Sequence, residues 1–385
     1  MKNTFTLIFF SIFLYTQPVL AQNLVINEIL TSNIASNADE DGMPQDWIEL
    51  FNKGSVAINL SGFGLSDDTA ILNKWVFPNV TIGAGQYLLI WASDKNRTTP
   101  GNPLHTNYKI SSSGESITLS NSSGDVLDVV PATIIPTDIS YGRSPNGTGN
   151  FVFFQTITPA AENSSQGYSG VLNPPQFSQN GGFYNSDFDL IISSADADST
   201  IFYTLDGSEP TENNLNGITY TYKDQYPELP EQHFGELLNN SFQTYQYTNP
   251  INITDRSSQP NKVSAISSTY DYDPSYYIPD NPIFKGTIVK AKVVKPGFIS
   301  SKISTKNYFI TPQGSARFSL PVISLSINED RFYGYENGIY VAGKVFDDWR
   351  IANPNGVARA SKAGNYYWEE NDERIGNMCL SLIHI

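Results

Sequence analysis

A pair of glutamates is the first candidate for chemistry in this sequence. Glu28 and Glu49 lie inside two apolar runs, residues 26–29 and 47–51, and paired carboxylates can act as a general acid and a general base. An acid embedded in a strand also needs a partner once it is buried. The alternative is therefore structural, with both acids bonded to backbone groups or paired with Arg143, and we favour this alternative.

A second group of acids is a candidate metal site. Residues 39–42 read Asp-Glu-Asp-Gly, and Asp46 follows. Oxygen-rich loops bind Ca²⁺, which makes Asp39, Asp41 and Asp46 candidate calcium ligands. Their spacing is not that of an EF-hand loop, so we favour a solvated acidic loop. The histidines are scattered without the spacing of metal ligands: His105, His233 and His384.

The composition is that of a folded, turn-rich β protein. Aromatic residues make up 13 % of the 385 residues, and glycine and proline are frequent enough to supply many turns. The net charge of −15 disfavours binding to nucleic acid or to an anionic membrane, and no local basic patch reverses it. Cys379 is the only cysteine, so the chain has no internal disulfide. A glycine-rich phosphate loop with its lysine is absent as well.

Residues 1–21 have the pattern of a secretory signal peptide. Lys2 precedes an apolar stretch at residues 7–14, and Ala21 is the small residue before the expected cleavage site. This stretch is short for a membrane span, and no later segment is apolar over the thickness of a bilayer. We expect a protein that is exported through a signal peptide cleaved after Ala21, has no transmembrane segment, and is secreted or attached to the cell surface.

Residues 22–165 predict a first β-sandwich, because short apolar runs alternate with turn residues in the rhythm of such folds. We predict strands at residues 24–30, 47–51, 56–60, 75–77, 87–91, 117–119 and 126–130, with a hairpin turn at 121–125. The tryptophans of these strands are expected in the core rather than on a sugar-binding platform: Trp47, Trp75 and Trp91.

Several segments of this region resemble the lamin-tail domain, an immunoglobulin-like β-sandwich. The resemblance rests on residues 26–29, 46–52, 60–67, 75–78, 85–90, 114–117, 140–147 and 158–163. Ala160 stands where that family often has glycine. The resemblance implies the sandwich fold and, for function, an accessory module of an exported protein.

Residues 174–310 predict a second β-sandwich, after a linker at residues 168–175. Residues 201–205 alternate as a strand and lead into the turn Asp206-Gly207. With residues 288–292 and 296–301, this segment resembles the C-terminal β-sandwich domain of the chitobiase and β-hexosaminidase type. Those domains are not the catalytic part of their enzymes, so the resemblance implies that Asp206 and Glu209 are turn residues.

An insert at residues 218–282 departs from this resemblance. It is rich in tyrosine, and four tyrosines cluster in its second half: Tyr270, Tyr272, Tyr276 and Tyr277. Exposed tyrosines on a loop are a common means of ligand binding, so these four are the candidate ligand-binding residues. A disordered or self-packed loop is the alternative.

Residues 320–378 resemble the opening of a CotH-type kinase domain, through residues 320–327, 328–333, 337–341 and 365–369. The resemblance implies that the nucleotide- and metal-binding acids of such a kinase lie beyond this chain. ATP and Mg²⁺ are therefore expected only if that missing part is active. Residues 379–385 resemble a translated sequencing adaptor, and the alternative is a short C-terminal strand.

Together these observations predict an all-β fold of tandem immunoglobulin-like β-sandwiches followed by an incomplete α+β segment. The expected function is that of non-catalytic accessory or binding modules of an exported multidomain protein, with Ca²⁺ as the one candidate ion. Two alternatives stay open. One is a cell-surface adhesin or envelope scaffold without enzymatic activity, and the other is a carbohydrate-binding module of a polysaccharide-processing protein. Glycans and other surface proteins are the expected partners.

Overall fold

The computed structural model describes residues 23–223, 225–227, 229–261 and 281–357, and the backbone of residues 379–383. It divides into two compact units, Met1–Val171 and Leu172–Ile385. Both consist mainly of strands, which confirms the all-β prediction. No helix among the described residues combines the length and the apolar character that crossing a membrane requires. The predicted signal peptide lies outside the described residues.

The strands of the first unit, called unit 1, are mostly short. In chain order they are β1 (Leu24–Leu30), β2 (Asp46–Asn52), β3 (Ile58–Asn59), β4 (Gly64–Ser66), β5 (Trp75–Val76), β6 (Thr81–Ile82), β7 (Tyr87–Ala92), β8 (Leu104–His105), β9 (Ile117–Ser120), β10 (Val126–Val130), β11 (Ser140–Ser144), β12 (Asn150–Phe154) and β13 (Gly167–Tyr168).

Two sheets enclose the core of unit 1. The larger sheet has the strand order β13-β12-β11-β1-β2-β7-β8, and the smaller has the order β10-β9-β4-β5. Buried apolar side chains from both sheets form one cluster, with Ile26, Ile48 and Leu50 from the larger and Leu65 and Leu119 from the smaller. Removal of this apolar surface from water is the main force that holds the two sheets together.

An irregularity at Asn27 reverses which side chains of β1 face the core. The register with β2 shifts between Ile26 and Glu28, so Asn27 is an extra residue without a partner on β2. Ile26 and Ile29 therefore both join the core, although strict alternation would place them on opposite faces. Glu28 consequently lies on the outer face of the larger sheet, directly opposite Glu49.

The predicted strands of unit 1 all occur, some with shifted ends. The predicted turn at residues 121–125 joins β9 to β10, with Gly124 at a φ of +88°. The three tryptophans are at most 6 % exposed, which confirms their place in the core. Strands β4, β6, β8, β11, β12 and β13 were not predicted. Four of these have only two or three residues, too few to show a period.

The described residues of the second unit, unit 2, form strands, two short α-helices and two 3₁₀ turns. In chain order they are β14 (Gln176–Phe177), β15 (Gly182–Tyr184), β16 (Phe188–Leu190), β17 (Ile192–Ser193), β18 (Thr200–Thr204), a 3₁₀ turn (Glu212–Asn214), β19 (Ile218–Tyr222), β20 (Leu238–Phe242), β21 (Tyr245–Gln246), β22 (Ile251–Ile253), β23 (Thr287–Val294), β24 (Ser304–Ile310), a 3₁₀ turn (Gly314–Arg317), β25 (Val322–Ser326), α1 (Glu329–Tyr333), α2 (Gly343–Ala352) and β26 (Cys379–Ile383).

The centre of unit 2 is a five-stranded sheet in the order β15-β24-β23-β18-β21, with the pairs β14-β17 and β16-β22 beside it. The alternating sequence of β23 predicts that Val289, Ala291 and Val293 face the core and that Lys290 faces solvent. The three apolar residues do lie in the core. Lys290 is only 2 % exposed, so that part of the prediction is wrong. Strand β23 is hydrogen-bonded on both edges, to β18 and β24, and is more enclosed than its alternating sequence suggests.

The segment that sequence reasoning set aside as an insert supplies strands to the sandwich. Strand β21 pairs with β18, and β22 pairs with β16. Ile251 and Ile253 of β22 are buried in the core of unit 2. Strands β19 and β20 pair with each other to form a separate hairpin.

The hairpin β19–β20 packs against the third predicted segment rather than standing alone. Tyr220 and Asn240 both donate hydrogen bonds to Glu329 at the start of α1, at 3.0 and 2.9 Å. Lys223, just after β19, forms a buried ion pair with Asp347 of α2. The hairpin and the two helices therefore form one small substructure within unit 2.

The last described strand, β26, pairs antiparallel with β25 over five residues. This is the short C-terminal strand that the alternative interpretation of residues 379–385 predicted. The adaptor hypothesis concerns the origin of these residues rather than their conformation, and it stays a prediction.

Candidate functional site

The two candidate catalytic glutamates lie side by side beneath a covering segment, residues 157–163. Both are 0 % exposed, and they face each other in the β1–β2 register. The hydroxyl of Thr158 donates to Glu28 Oε2 at 2.9 Å, and Ser140 donates to Oε1 of the same carboxyl. The backbone amide of Ala160 donates to Glu49 Oε2 at 2.6 Å. The glutamates therefore fix the covering segment to the sheet.

Asparagines extend this network to the turn after β11. Asn27 Nδ2 donates to Glu49 Oε1 at 2.8 Å and to Asn146 Oδ1 at 3.0 Å. Asn146 Oδ1 also accepts the backbone amide of Asn163, at 3.0 Å. The irregularity in β1 places Asn27 where it meets these partners. All of these residues come from segments that carry the lamin-tail resemblance, so that resemblance reflects a buried polar network.

Burial changes the proton affinity of both glutamates. It raises the pKa of Glu49 to about 8, against the hydrogen bond from Asn27, and the charge of Glu28 adds to the rise. Burial also raises the pKa of Glu28, against the hydrogen bonds from Ser140 and Thr158. Like charges directly opposite on neighbouring strands repel, so the pair retains a proton at neutral pH.

Arg143 does not pair with either glutamate, and that part of the expectation was wrong. Glu28 lies opposite Gly142 in the register with β11, so the next residue, Arg143, projects to the other face. There its guanidinium donates two hydrogen bonds to Asp128, at 2.7 and 2.9 Å. The favoured structural role of the glutamates is otherwise supported, because a general acid must reach its substrate and these carboxyls are enclosed.

The acidic loop of unit 1 meets cations from the segment after β7. Lys95 Nζ forms ion pairs with Asp39 and, at 2.6 Å, with Asp41. Arg97 pairs with Glu40 and, at 2.7 Å, with Asp41. The hydrogen bond from Arg97 is the main reason that the pKa of Asp41 falls to about 2. Three carboxylates thus face two permanent cations.

The structure separates the three candidate calcium ligands. Asp39 and Asp41 lie in this ion-pair network, whereas Asp46 accepts the backbone amide of Asn33 at 3.0 Å, and burial raises the pKa of Asp46 to about 6. The group with metal-ligand geometry is instead Asp39, Glu40 and His105. Sequence spacing missed His105, which reaches Glu40 at 2.9 Å because β8 pairs in parallel with β7.

The Asp206-Gly207 turn of unit 2 has the predicted form. Gly207 has a φ of +87°, and Asp206 Oδ1 accepts the backbone amide of Ser208 at 3.0 Å. Asp206 Oδ2 accepts the amide of Gln243 at 3.3 Å. The aspartate therefore closes its own turn and holds the neighbouring chain, as a turn residue does.

A polar cleft opens beside this turn. It consists of two cavities of about 620 Å³ each, which share Leu205, Asp206, Arg256 and Gln259. Amide and hydroxyl side chains line the first cavity: Asn216, Thr219, Ser241, Gln243, Asn252 and Thr254. The second cavity has a more apolar wall, with Pro260, Ile283 and Ile288, into which Lys285 and Glu329 are set. The volumes fall in the range of ligand-binding pockets, ~300–1,000 Å³.

The cleft takes much of its lining from the segment that sequence reasoning proposed as the place to search for a ligand site. Residues 219, 241–245 and 252–259 all belong to the predicted insert. The four tyrosines proposed there, Tyr270, Tyr272, Tyr276 and Tyr277, lie outside the described residues. Their role in binding stays a prediction. The polar residues of the cleft were missed because they are brought together from separate strands and loops.

Two family models match this chain. The Lamin Tail Domain model matches residues 19–133, and the Fn3 associated model matches residues 190–308. Each covers less than a third of the chain. A search of curated proteins finds no match. The first region is thus similar to the lamin tail domain, an immunoglobulin-like β-sandwich, and the second is similar to the Fn3-associated domain.

Fold and comparisons together define the class of this protein. It is an all-β protein with a lamin-tail-like sandwich in unit 1 and an Fn3-associated-like region in unit 2.

Proposed function

We propose that this chain supplies non-catalytic binding modules to an exported multidomain protein. The polar cleft of unit 2 carries the proposal, because it offers fixed hydrogen-bonding groups in a recess of ligand size. The titratable pair that sequence reasoning considered for catalysis is enclosed in unit 1 and occupied by structural hydrogen bonds. Both matched families are consistent with accessory modules.

An array of plant, algal and bacterial glycans, probed with the labelled intact chain, tests this proposal. We expect binding to some glycans without any change in their mass after incubation. Cleavage or modification of a bound glycan would contradict the non-catalytic role. Failure to bind any glycan or isolated cell surface would contradict the binding role.

Export is a separate part of the proposal and rests on the pattern of residues 1–21. Expression of the intact chain in a bacterial host tests it. We expect the mature protein to begin at Gln22 and to leave the cytoplasm. An unprocessed chain that stays in the cytoplasm would show that these residues do not act as a signal peptide.

Carbohydrate binding is the form of this function that the first cavity favours. Its wall of amides and hydroxyls matches the donors and acceptors of a sugar. Tyr245, at the same cavity, is 41 % exposed and lies 5.5 Å from the ring of Tyr203. Such a ring presents an apolar face for stacking. The resemblance to chitobiase-type domains agrees with this proposal, although it concerns the fold rather than a site.

A kinase in the parent protein is a second proposal, carried by the resemblance of residues 320–378 to a CotH-type domain. Such a domain would transfer a phosphoryl group from a metal-bound nucleotide. Sequencing of the gene beyond the codon for residue 378 tests it directly. Codons for metal-binding acids downstream of residue 378 would support it, and their absence would exclude it.

A further inference from the structure

We propose that the polar cleft binds an acidic oligosaccharide, whose carboxylate or sulfate group contacts Arg256 and Lys285 while its hydroxyl groups occupy the first cavity. This inference rests on the proposed binding function and adds the charge of the ligand. It is unexpected for a chain with 38 acidic and 23 basic residues. The proposal depends on which charged groups of the cleft are already paired with other residues.

Arg256 lines both cavities and has more N–H donors than its two hydrogen bonds use. Its Nε donates to Gln259 Oε1 at 2.9 Å, and its Nη1 donates to the carbonyl of Leu205 at 3.4 Å. Within the described part of the chain, no carboxylate lies within ion-pair distance of this guanidinium. A guanidinium has five N–H donors in a planar fork that fits a carboxylate or a sulfate. Its two bonds hold the fork in place and leave further donors for a ligand.

Lys285 adds a second cation to the second cavity. Its Nζ donates to Asn261 Oδ1 at 2.8 Å, to the carbonyl of Ile283 at 3.1 Å and to the carbonyl of Ser257 at 3.4 Å. All three partners are neutral, so these contacts do not cancel the charge of the ammonium. An anion in this cavity would meet two positive charges, those of Lys285 and Arg256.

The two acids of the same cavity are turned to other partners. Asp206 accepts hydrogen bonds from Ser208 and from the amide of Gln243. Glu329 is 7 % exposed and accepts from Tyr220 and Asn240. Their oxygens are therefore engaged in the walls. Arg256, by contrast, makes only two of the five hydrogen bonds that a guanidinium can donate, and Lys285 adds a positive charge to the same cavity. An anion can therefore gain a charge-assisted hydrogen bond from Arg256 here.

The first cavity explains why the anion should be part of a sugar. Thr219, Thr254 and Gln243 offer uncharged donors and acceptors, and Tyr245 offers a ring at the mouth. A small inorganic anion would use none of these groups. A chain of sugar rings with one acidic group would fill both cavities at once.

Calorimetry on the intact chain tests the inference with three probes: an oligogalacturonide, its carboxyl-reduced neutral counterpart, and a sulfated galactan oligosaccharide. We expect at least one acidic probe to bind at least tenfold more tightly than the neutral one, and to lose affinity as salt rises. Tighter binding of the oligogalacturonide identifies a carboxylate, and tighter binding of the galactan identifies a sulfate. Failure of both acidic probes to bind would overturn the inference.

Variants locate the site. Arg256→Gln should weaken the acidic probe about 10- to 100-fold, as loss of a charge-assisted hydrogen bond predicts, and Arg256→Lys should restore part of that loss. Lys302→Gln is the matched control, because it removes an exposed lysine of unit 2 outside the cleft. Circular dichroism checks that each variant is folded. A folded Arg256→Gln protein with unchanged affinity would overturn the inference.

The outcomes separate this inference from the proposed function. If the neutral probe binds as tightly as the acidic ones, the charge preference is wrong and the binding role survives. If no probe and no glycan on the array is bound, both are wrong.

Discussion

Replacement of Glu49 by glutamine should remove much of the pH dependence of stability in unit 1. The pKa of Glu49 is about 8 in the folded protein, against 4.5 for an exposed glutamate. Between these values the unfolded chain releases the proton and the folded chain keeps it. The ionisation of Glu49 therefore leaves the unfolding free energy unchanged below about pH 4.5, lowers it as the pH rises towards 8, and has its full destabilising effect above that pH.

The size of the effect follows from the difference between the two pKa values. The difference is about 3.5, and each pKa unit corresponds to about 1.4 kcal/mol, so the loss is about 5 kcal/mol at most. That is a large share of the stability of a typical domain, ~5–15 kcal/mol. Glu49→Gln cannot ionise and should lose far less over the same range, with a remaining slope from Glu28.

Urea unfolding, monitored by tryptophan emission at several values between pH 5 and pH 9, measures this pH dependence. Three of the five tryptophans are buried in unit 1 and report its unfolding. Glu162→Gln is the control, because Glu162 is an exposed acid of the same covering segment. We expect this control to keep the wild-type slope. Equal slopes for wild type and Glu49→Gln would refute the reasoning, since Glu49 would then not be the group that holds the proton.

Three further predictions address other parts of the chain. Ala160 has a φ of +60°, which costs ~1–2 kcal/mol for a residue with a Cβ. Ala160→Gly should therefore raise the unfolding free energy of unit 1 by about 0.5–1 kcal/mol, once the greater flexibility of glycine in the unfolded chain is subtracted. A lower unfolding free energy in urea melts would contradict this. Ca²⁺ at about 1 mM, where extracellular calcium modules bind, should leave the melting temperature unchanged, because Lys95 and Arg97 already occupy the carboxylates of the acidic loop. A rise in the melting temperature would show that the metal displaces these cations. Asp347→Ala should destabilise unit 2 by about 3 kcal/mol, because it leaves the buried Lys223 without its ion-pair partner. The matched control Asp348→Ala breaks only an exposed ion pair and should change the stability little. Equal melting temperatures for the two variants would show that the buried pair contributes nothing.

Much of unit 1 could be predicted from its sequence. Short apolar runs, as in β2, and turn residues such as Gly124 mark strands and hairpins locally. The tryptophans were predicted in the core because a large apolar ring at a strand position is usually buried. Strands of two or three residues carry no period, so β6 and β8 were missed.

The candidate sites were less predictable, because their partners come from distant parts of the chain. Arg143 was proposed as a partner of the buried acids, but the register of β11 turns it to Asp128. His105 had no metal-ligand spacing, yet the parallel pairing of β8 with β7 brings it to Glu40. Neither register can be read from local sequence, since a shift of one residue reverses the face of every side chain.

The sequence by itself determined that this protein is built from strands in two modules, because the period of apolar side chains and the positions of glycine act within a few residues. Only the tertiary structure decided what its polar residues do. It enclosed Glu28 and Glu49, joined the hairpin β19–β20 to the helices of the third segment, and gathered Asp206, Arg256 and Lys285 at one cleft. The physical reason is that the role of a polar group depends on its hydrogen-bond partners, and some of these partners lie more than a hundred residues away in the sequence.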